Sequence, residues 1–151
     1  MKLIISFLIS LYFILVDPTN PQAAAAPVMP CSLVLEPVSG SINEKGAALV
    51  YKVKLTPSFP RTSISIHAIH LLKPGHYGNY DTYEGFAFIA NKISWRFKLY
   101  PTPEADSPTW SGRIDDITAQ LEDSKIEVRL SDSKTGTLGP AVLSNNFRLC
   151  K

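Results

Sequence analysis

Little in this chain announces a reaction. It holds two cysteines and three histidines in 151 residues, and once the cysteines pair no thiolate is left to help a zinc site. Neither a G-x-S-x-G elbow nor a phosphate-binding glycine loop occurs, so common signatures of hydrolases and nucleotide binders are missing. No Asn-x-Ser/Thr triplet is present, and N-glycosylation is not expected. Charge of one sign is also scarce. The formal net charge is +2, with basic residues standing singly along strand-like segments, so nucleic acid is not an expected partner. No catalytic residue, metal or cofactor is expected.

The one long apolar stretch, Leu3 to Val16, follows Lys2 and precedes a polar segment that ends in Ala23, Ala24, Ala25 and Ala26. That order of parts is the order of a secretion signal. Its 14 residues fall short of the about 20 that a membrane-spanning helix needs. Small residues at the −3 and −1 positions place cleavage after Ala25. Residues 1–25 are therefore read as a signal peptide and 26–151 as one domain, large enough for a single core. Lipid attachment at Cys31 is disfavoured, because Pro30 stands where that processing wants a small residue. The product is expected to be a secreted monomer with no membrane anchor.

Cys31 and Cys150 stand near the two ends of that domain. In an exported chain two cysteines most often pair, and a Cys31–Cys150 disulfide is expected. Between them, β-branched and aromatic segments alternate with Pro, Gly, Asn and Asp, which points to an all-β fold. Strands are expected over Ser32 to Val38, Ala48 to Leu55, Thr62 to Leu72, on either side of Ala90-Asn91-Lys92, over Ser111 to Leu121, around Ile126 to Leu130, and over Val142 to Leu149. In the second, Leu49, Tyr51, Val53 and Leu55 carry no charge and are taken as the buried set. A parity change after Ile66 calls for a bulge near Ala68, and Asp115-Asp116 for an irregularity. Ser111 to Leu121 also fits a helix face, with the strand preferred.

A disulfide needs Cα atoms about 4.4 to 6.8 Å apart, so the first and last strands must bring both cysteines to one end. With simple alternation this requires an even number of strands. Eight satisfy it, which favours a turn at Asn91 over one long bulged strand. The expected architecture is an immunoglobulin-like antiparallel β-sandwich of about eight strands, closed by the terminal disulfide.

His67, His70 and His76 lie close in sequence, but residues three apart on a strand point to opposite faces, so ordinary edge and loop histidines are the better reading. The segment Pro74 to Gly85 is the best recognition candidate. It gathers His76, Tyr77, Asn79, Tyr80, Asp81 and Tyr83 on a glycine-punctuated loop, and aromatic faces beside adaptable polar groups are what binding loops use. The same tyrosines can instead fold down to cap a core. Trp95 shares parity with Ile93, Phe97 and Leu99 and is expected in the core. Trp110 either stacks on a ligand beside the tyrosines or plugs the space beneath its loop.

The stretch IEVRLSDSKTGTLGPAVLSNNFRLC, Ile126 to Cys150, resembles the last two strands of secreted immunoglobulin-like or fibronectin-III-like modules of fungal extracellular type. The resemblance implies a sandwich and a wall or matrix setting, and assigns no site. Together these readings lead to a secreted, non-enzymatic binding module whose partner is an extracellular protein or glycan. The alternatives are a carbohydrate-binding or wall-assembly module, and a peptidase inhibitor presenting a proline-framed loop.

Overall fold

The computed structural model describes residues 27–39, 43–54 and 59–151; the predicted signal peptide, Gly40-Ser41 and Leu55 lie outside them. Eight strands follow one another: β1 (Cys31–Pro37), β2 (Lys45–Lys54), β3 (Pro60–Ile69), β4 (Thr82–Ile89), β5 (Ile93–Pro101), β6 (Trp110–Ile117), β7 (Ser124–Ser131) and β8 (Leu138–Asn146). Short 3-10 turns occupy Pro74–Tyr77 and Phe147–Leu149. All pairings are antiparallel, and the strands close in the order β1-β2-β3-β6-β5-β4-β7-β8.

This is a closed barrel, and the expected immunoglobulin-like sandwich is overturned. Two strands make the difference by pairing on both sides. β1 bonds through Cys31 to Leu35 with β2 and then through Glu36 and Pro37 with β8. β5 runs its length against β4 and turns its last residues, Tyr100 and Pro101, onto β6. A sandwich leaves such edges open; here each is shared, and no edge remains. The inward and outward alternation of each strand is the same in both architectures, so the sequence period does not separate them.

The interior is apolar: Leu33, Leu35, Val50, Ile64, Ile66, Leu99, Ile126, Val128, Leu130 and Leu143 are at most 2 % exposed. Charged residues such as Arg96, Lys98 and Arg129 lie on the outside of their strands, the reverse of a lipid-facing barrel. Among the described residues no helix is long and apolar enough to cross a membrane. In β2 the buried side is Ala48 and Val50, and Leu49 is 46 % exposed, opposite to the expected parity. Ala48 pairs with Leu33 and Ile66, and Val50 with Ile64, so large neighbours fill the space over small side chains. The charge of Lys52, on the same parity, sits at the barrel rim, where its amino group donates to the Thr62 hydroxyl at 2.8 Å.

The phase change after Ile66 has a different cause from a bulge at Ala68. Ala68 stays inward, β3 ends at Ile69, and His70 takes a left-handed φ of 57°, which drops Leu71 onto the core. The β3–β6 ladder shifts register between Thr62 and Ile64, opposite Ile117 and Ile114, placing the irregularity at Asp115-Asp116. Asn91, at φ 59°, turns the chain between β4 and β5.

Cys31 and Cys150 are joined, with Cα atoms 5.5 Å apart, and both are buried in the core cluster. Lys151 exchanges backbone hydrogen bonds with Ser32, so the carboxyl end continues alongside β1. The disulfide therefore marks one end of the barrel. Residues 38–39 and 43–44, which flank the ends of β1 and β2, and the loops 70–81, 102–109 and 132–137 lie at the other.

Candidate functional site

The four-loop end is built around a tyrosine pair with different duties. Tyr83, at the start of β4, is fully buried; its hydroxyl donates to the Leu72 carbonyl at 2.7 Å and its ring meets Trp110 edge-on at 5.0 Å. Trp110, which opens β6, is 8 % exposed. These two rings plug the barrel beneath the loops. Burial pushes the Tyr83 phenol above its ordinary range.

Tyr77 ends the 3-10 turn Pro74–Tyr77, with Pro74 buried beneath it. Its hydroxyl donates to Glu44 Oε1 at 2.8 Å. Burial, reinforced by the Glu44 carboxylate, raises the Tyr77 phenol to about 12, so it remains a neutral donor. Glu44 itself, in the loop before β2, is 3 % exposed. Among the described residues the Tyr77 hydroxyl is the single hydrogen-bond donor to that carboxylate, and no Lys, Arg or His comes within 4.0 Å of it. Glu44 lines an open cleft of about 490 Å³ with Asn43, His70 and Leu72. His70 is tied across to the next loop through Nδ1 and Ser107 Oγ at 3.3 Å.

On the other side of Tyr77 lies a second groove of about 410 Å³, bounded by Asn79, Tyr80, Asp132, Thr135 and Thr137. Tyr80 packs over Gly139, where a Cβ would stand 2.6 Å from its ring. Asp81 is held by the Ser133 amide and hydroxyl at 2.8 and 2.5 Å, and these bonds keep its carboxyl below the usual range. Asp132 accepts from the Lys134 and Thr135 amides and the Thr135 hydroxyl, with the same effect on its own carboxyl. The loops are thereby fixed by local side-chain bonds that mimic backbone turns.

Of the residues singled out in the sequence, Tyr77, Asn79, Tyr80 and Asp81 meet at this end with parts open to solvent, and His76 stands exposed, edge-on to Tyr77 at 5.6 Å. Tyr83 and Trp110 belong to the core beneath them. Glu44 gave no signal, since Asn43-Glu44-Lys45 reads as a solvated turn, and its bond to Tyr77 spans 33 residues. Glu84 and Glu127 were missed for a similar reason. They lie on the outer face of β4 and β7, buried under Arg96 and Arg129 respectively. Among the described residues no three His, Cys, Asp or Glu side chains gather as a metal site.

The described loops of this end carry five carboxylates, Glu44, Asp81, Glu104, Asp106 and Asp132, against two ammonium groups, Lys73 and Lys134. The chemistry on offer is acidic and hydroxyl-rich, with one carboxylate, Glu44, buried to 3 % exposure.

Fold and site together define a small, disulfide-closed antiparallel β-barrel with an acidic loop end. The family model described as SPbeta prophage-derived uncharacterized protein YoqH matches residues 27–151, and the chain belongs to that family. It is 52 % identical over 146 residues to the SPbeta prophage-derived protein YoqH of Bacillus subtilis (strain 168), covering 95 % of this chain and 97 % of the relative. No solved structure matches. This bacterial prophage family overturns the fungal resemblance of Ile126 to Cys150 and, with the barrel, the secreted immunoglobulin-like binding module and its alternatives that were read from the sequence. The strand-turn-strand that carried the resemblance is β7 and β8, a hairpin that a barrel and a sandwich build alike.

Proposed function

We propose that the chain works outside the reducing interior of the cell, without catalysing a reaction, and that its four-loop end recognises a positively charged segment of a protein partner. The observation that carries this is the excess of carboxylates over ammonium groups among the described residues of that end, with Glu44 buried to 3 % exposure and no described Lys, Arg or His within 4.0 Å of it. A charge held in a poorly hydrated place is costly unless paired, so a cation presented there gains more than it would at an ordinary surface carboxylate. The surrounding acids add long-range attraction that salt screens. Export is supported by the order of the leader's parts, by a disulfide of the kind that persists in oxidising compartments, and by a family match that begins at Pro27, next to the predicted cleavage point.

The test uses the mature, oxidised protein titrated with capped hexalysine and capped hexaglutamate over a series of salt concentrations. Saturable binding of hexalysine alone, weakening with salt and reduced in an E104K/D106K variant, supports the reading. Equal binding of both peptides, or of neither, overturns it. Export is tested separately by the amino terminus of the protein recovered from the medium, expected at Ala26.

A further inference from the structure

The cleft beside Tyr77 has features that select among cations. Its buried carboxylate has one oxygen, Oε1, engaged by the Tyr77 hydroxyl at 2.8 Å, and among the described residues nothing donates to the other. Asn43 and Leu72 form the remaining walls with His70: an amide oxygen that can accept a hydrogen bond, and an apolar side chain along which an aliphatic stem can lie. From this arrangement we infer that the cleft is a binding pocket for a single lysine side chain of the partner, its ammonium pairing with Glu44. This rests on the reading of the four-loop end as the recognising surface.

The chemistry favours lysine over arginine. A guanidinium gains most from a carboxylate when its fork meets both oxygens, and here one oxygen already holds a phenol. An ammonium is a compact point charge that needs one carboxylate oxygen and uses its other protons on neighbouring acceptors. Its four-carbon stem runs along apolar surface readily, which Leu72 supplies. Tyr77 serves two purposes: its hydroxyl takes one of the two acceptor positions on an oxygen that a fork would share, and its ring covers the carboxylate on that side. Because its phenol is raised to about 12, it stays a neutral donor throughout the range in which lysine is charged.

The experiment compares capped hexalysine, hexaarginine and Nε-acetylated hexalysine on the oxidised wild type, E44Q, Y77F and E104K/D106K, with matched thermal unfolding as the folding control. Glutamine keeps the acceptor for Tyr77 and removes the charge. E44Q is expected to weaken hexalysine by at least about tenfold, or about 1.4 kcal/mol, and to change hexaarginine little. Acetylated hexalysine is expected not to bind. Y77F leaves the Glu44 side chain in place and removes the bond to its Oε1, so the preference for lysine over arginine is expected to shrink or reverse.

A folded E44Q that binds hexalysine with unchanged affinity overturns the pocket. If E104K/D106K then loses binding, the acidic end still stands as the recognising surface; if no protein binds hexalysine, both readings fall. Should E44Q not fold, Y77F decides alone: an unaltered preference between the two peptides overturns the pocket.

Discussion

Gly112→Ala tests whether the barrel is closed where β6 meets β5. That seam consists of two residue pairs, Tyr100 with Ser111 and Pro101 with Trp110, and Gly112 lies next to it. A Cβ on Gly112 would stand 2.2 Å from the Lys98 carbonyl oxygen, 2.9 Å from Leu99 Cδ2 and 3.2 Å from the Lys98 carbonyl carbon. Carbon and oxygen rest no closer than about 3.3 Å, so β5 and β6 must part by roughly 1 Å. The obstacle is backbone, which cannot swing aside as a side chain can.

Overpacking of this kind costs about 1 to 3 kcal/mol and occasionally more. The backbone clash places Gly112→Ala at the upper part of that range, less the about 0.5 to 1 kcal/mol by which alanine is preferred to glycine in a strand. A net loss of about 2 kcal/mol lowers Tm by roughly 8 °C for a domain of this size. Gly136→Ala is the internal comparison. Nothing lies within 4 Å of a Cβ there, but its φ is +71°, and a left-handed alanine costs about 1 kcal/mol. The assay is thermal unfolding followed by near-ultraviolet circular dichroism, without reductant. Gly112→Ala is expected to be clearly the worse of the two. If it is as stable as wild type, or milder than Gly136→Ala, the seam is open and the barrel description is wrong.

Three further outcomes follow from the same structure. Replacing both Cys31 and Cys150 by alanine removes a crosslink spanning 119 residues and is expected to cost about 5 kcal/mol in the chain-entropy model, read from urea midpoints of the oxidised and mutant proteins; a loss under about 1 kcal/mol would refute the staple. The guanidinium of Arg96 and the hydroxyl of Ser131 hold the Glu84 carboxyl below its usual 4.5. Its stabilising contribution is therefore full above pH 4.5 and is lost as pH falls through the lowered value. Urea unfolding of wild type and E84Q should differ at pH 7 and converge in strong acid, and a gap that is constant with pH would show that the ion pair is not responsible. The Ser124 hydroxyl is buried and has no hydrogen-bond partner among the described residues, so Ser124→Ala is expected to be neutral or slightly stabilising; a loss above about 1 kcal/mol would mean that a bound water satisfies it.

What was legible in the sequence was local. Ile126, Val128 and Leu130 alternate cleanly because β7 turns them onto the barrel interior, and Asn91 and Asp115-Asp116 betray a turn and an irregularity through residue type and parity. Even the strand count followed, since the disulfide requires both cysteines at one end. Closure was not legible. It depends on two pairs between β1 and β8 and two between β5 and β6, and a strand that serves two neighbours has the same inward and outward pattern as one that serves a single sheet. The parity of β2 was misread because Lys52 shares a side with Ala48 and Val50, and a charge was taken to mark the whole side as wet. In a barrel the last inward position lies at the rim and can hold one.

The tyrosine-rich segment posed a choice between capping a core and binding a ligand, and the geometry joins the two. Tyr83 and Trp110 close the barrel end, and Tyr83 fixes the loop above it by its bond to the Leu72 carbonyl. That same loop carries Tyr77 on a short turn whose buried Pro74 anchors it, and Tyr77 then covers Glu44. A carboxylate left on a mobile, wet loop would be an ordinary solvated charge. Beneath a loop pinned by the cap it is buried and held in direction by the Tyr77 hydroxyl, which is the condition under which a carboxylate discriminates between cations. Loosening the cap should therefore weaken the proposed lysine pocket without touching it. Tyr83→Phe, which removes the bond to Leu72, is expected to reduce hexalysine binding in proportion to the loosening of the loop seen by hydrogen exchange at Leu72 to Tyr77. If exchange there rises while the preference for lysine over arginine is untouched, the cap and the pocket are independent and Glu44 owes its selectivity to its immediate neighbours alone.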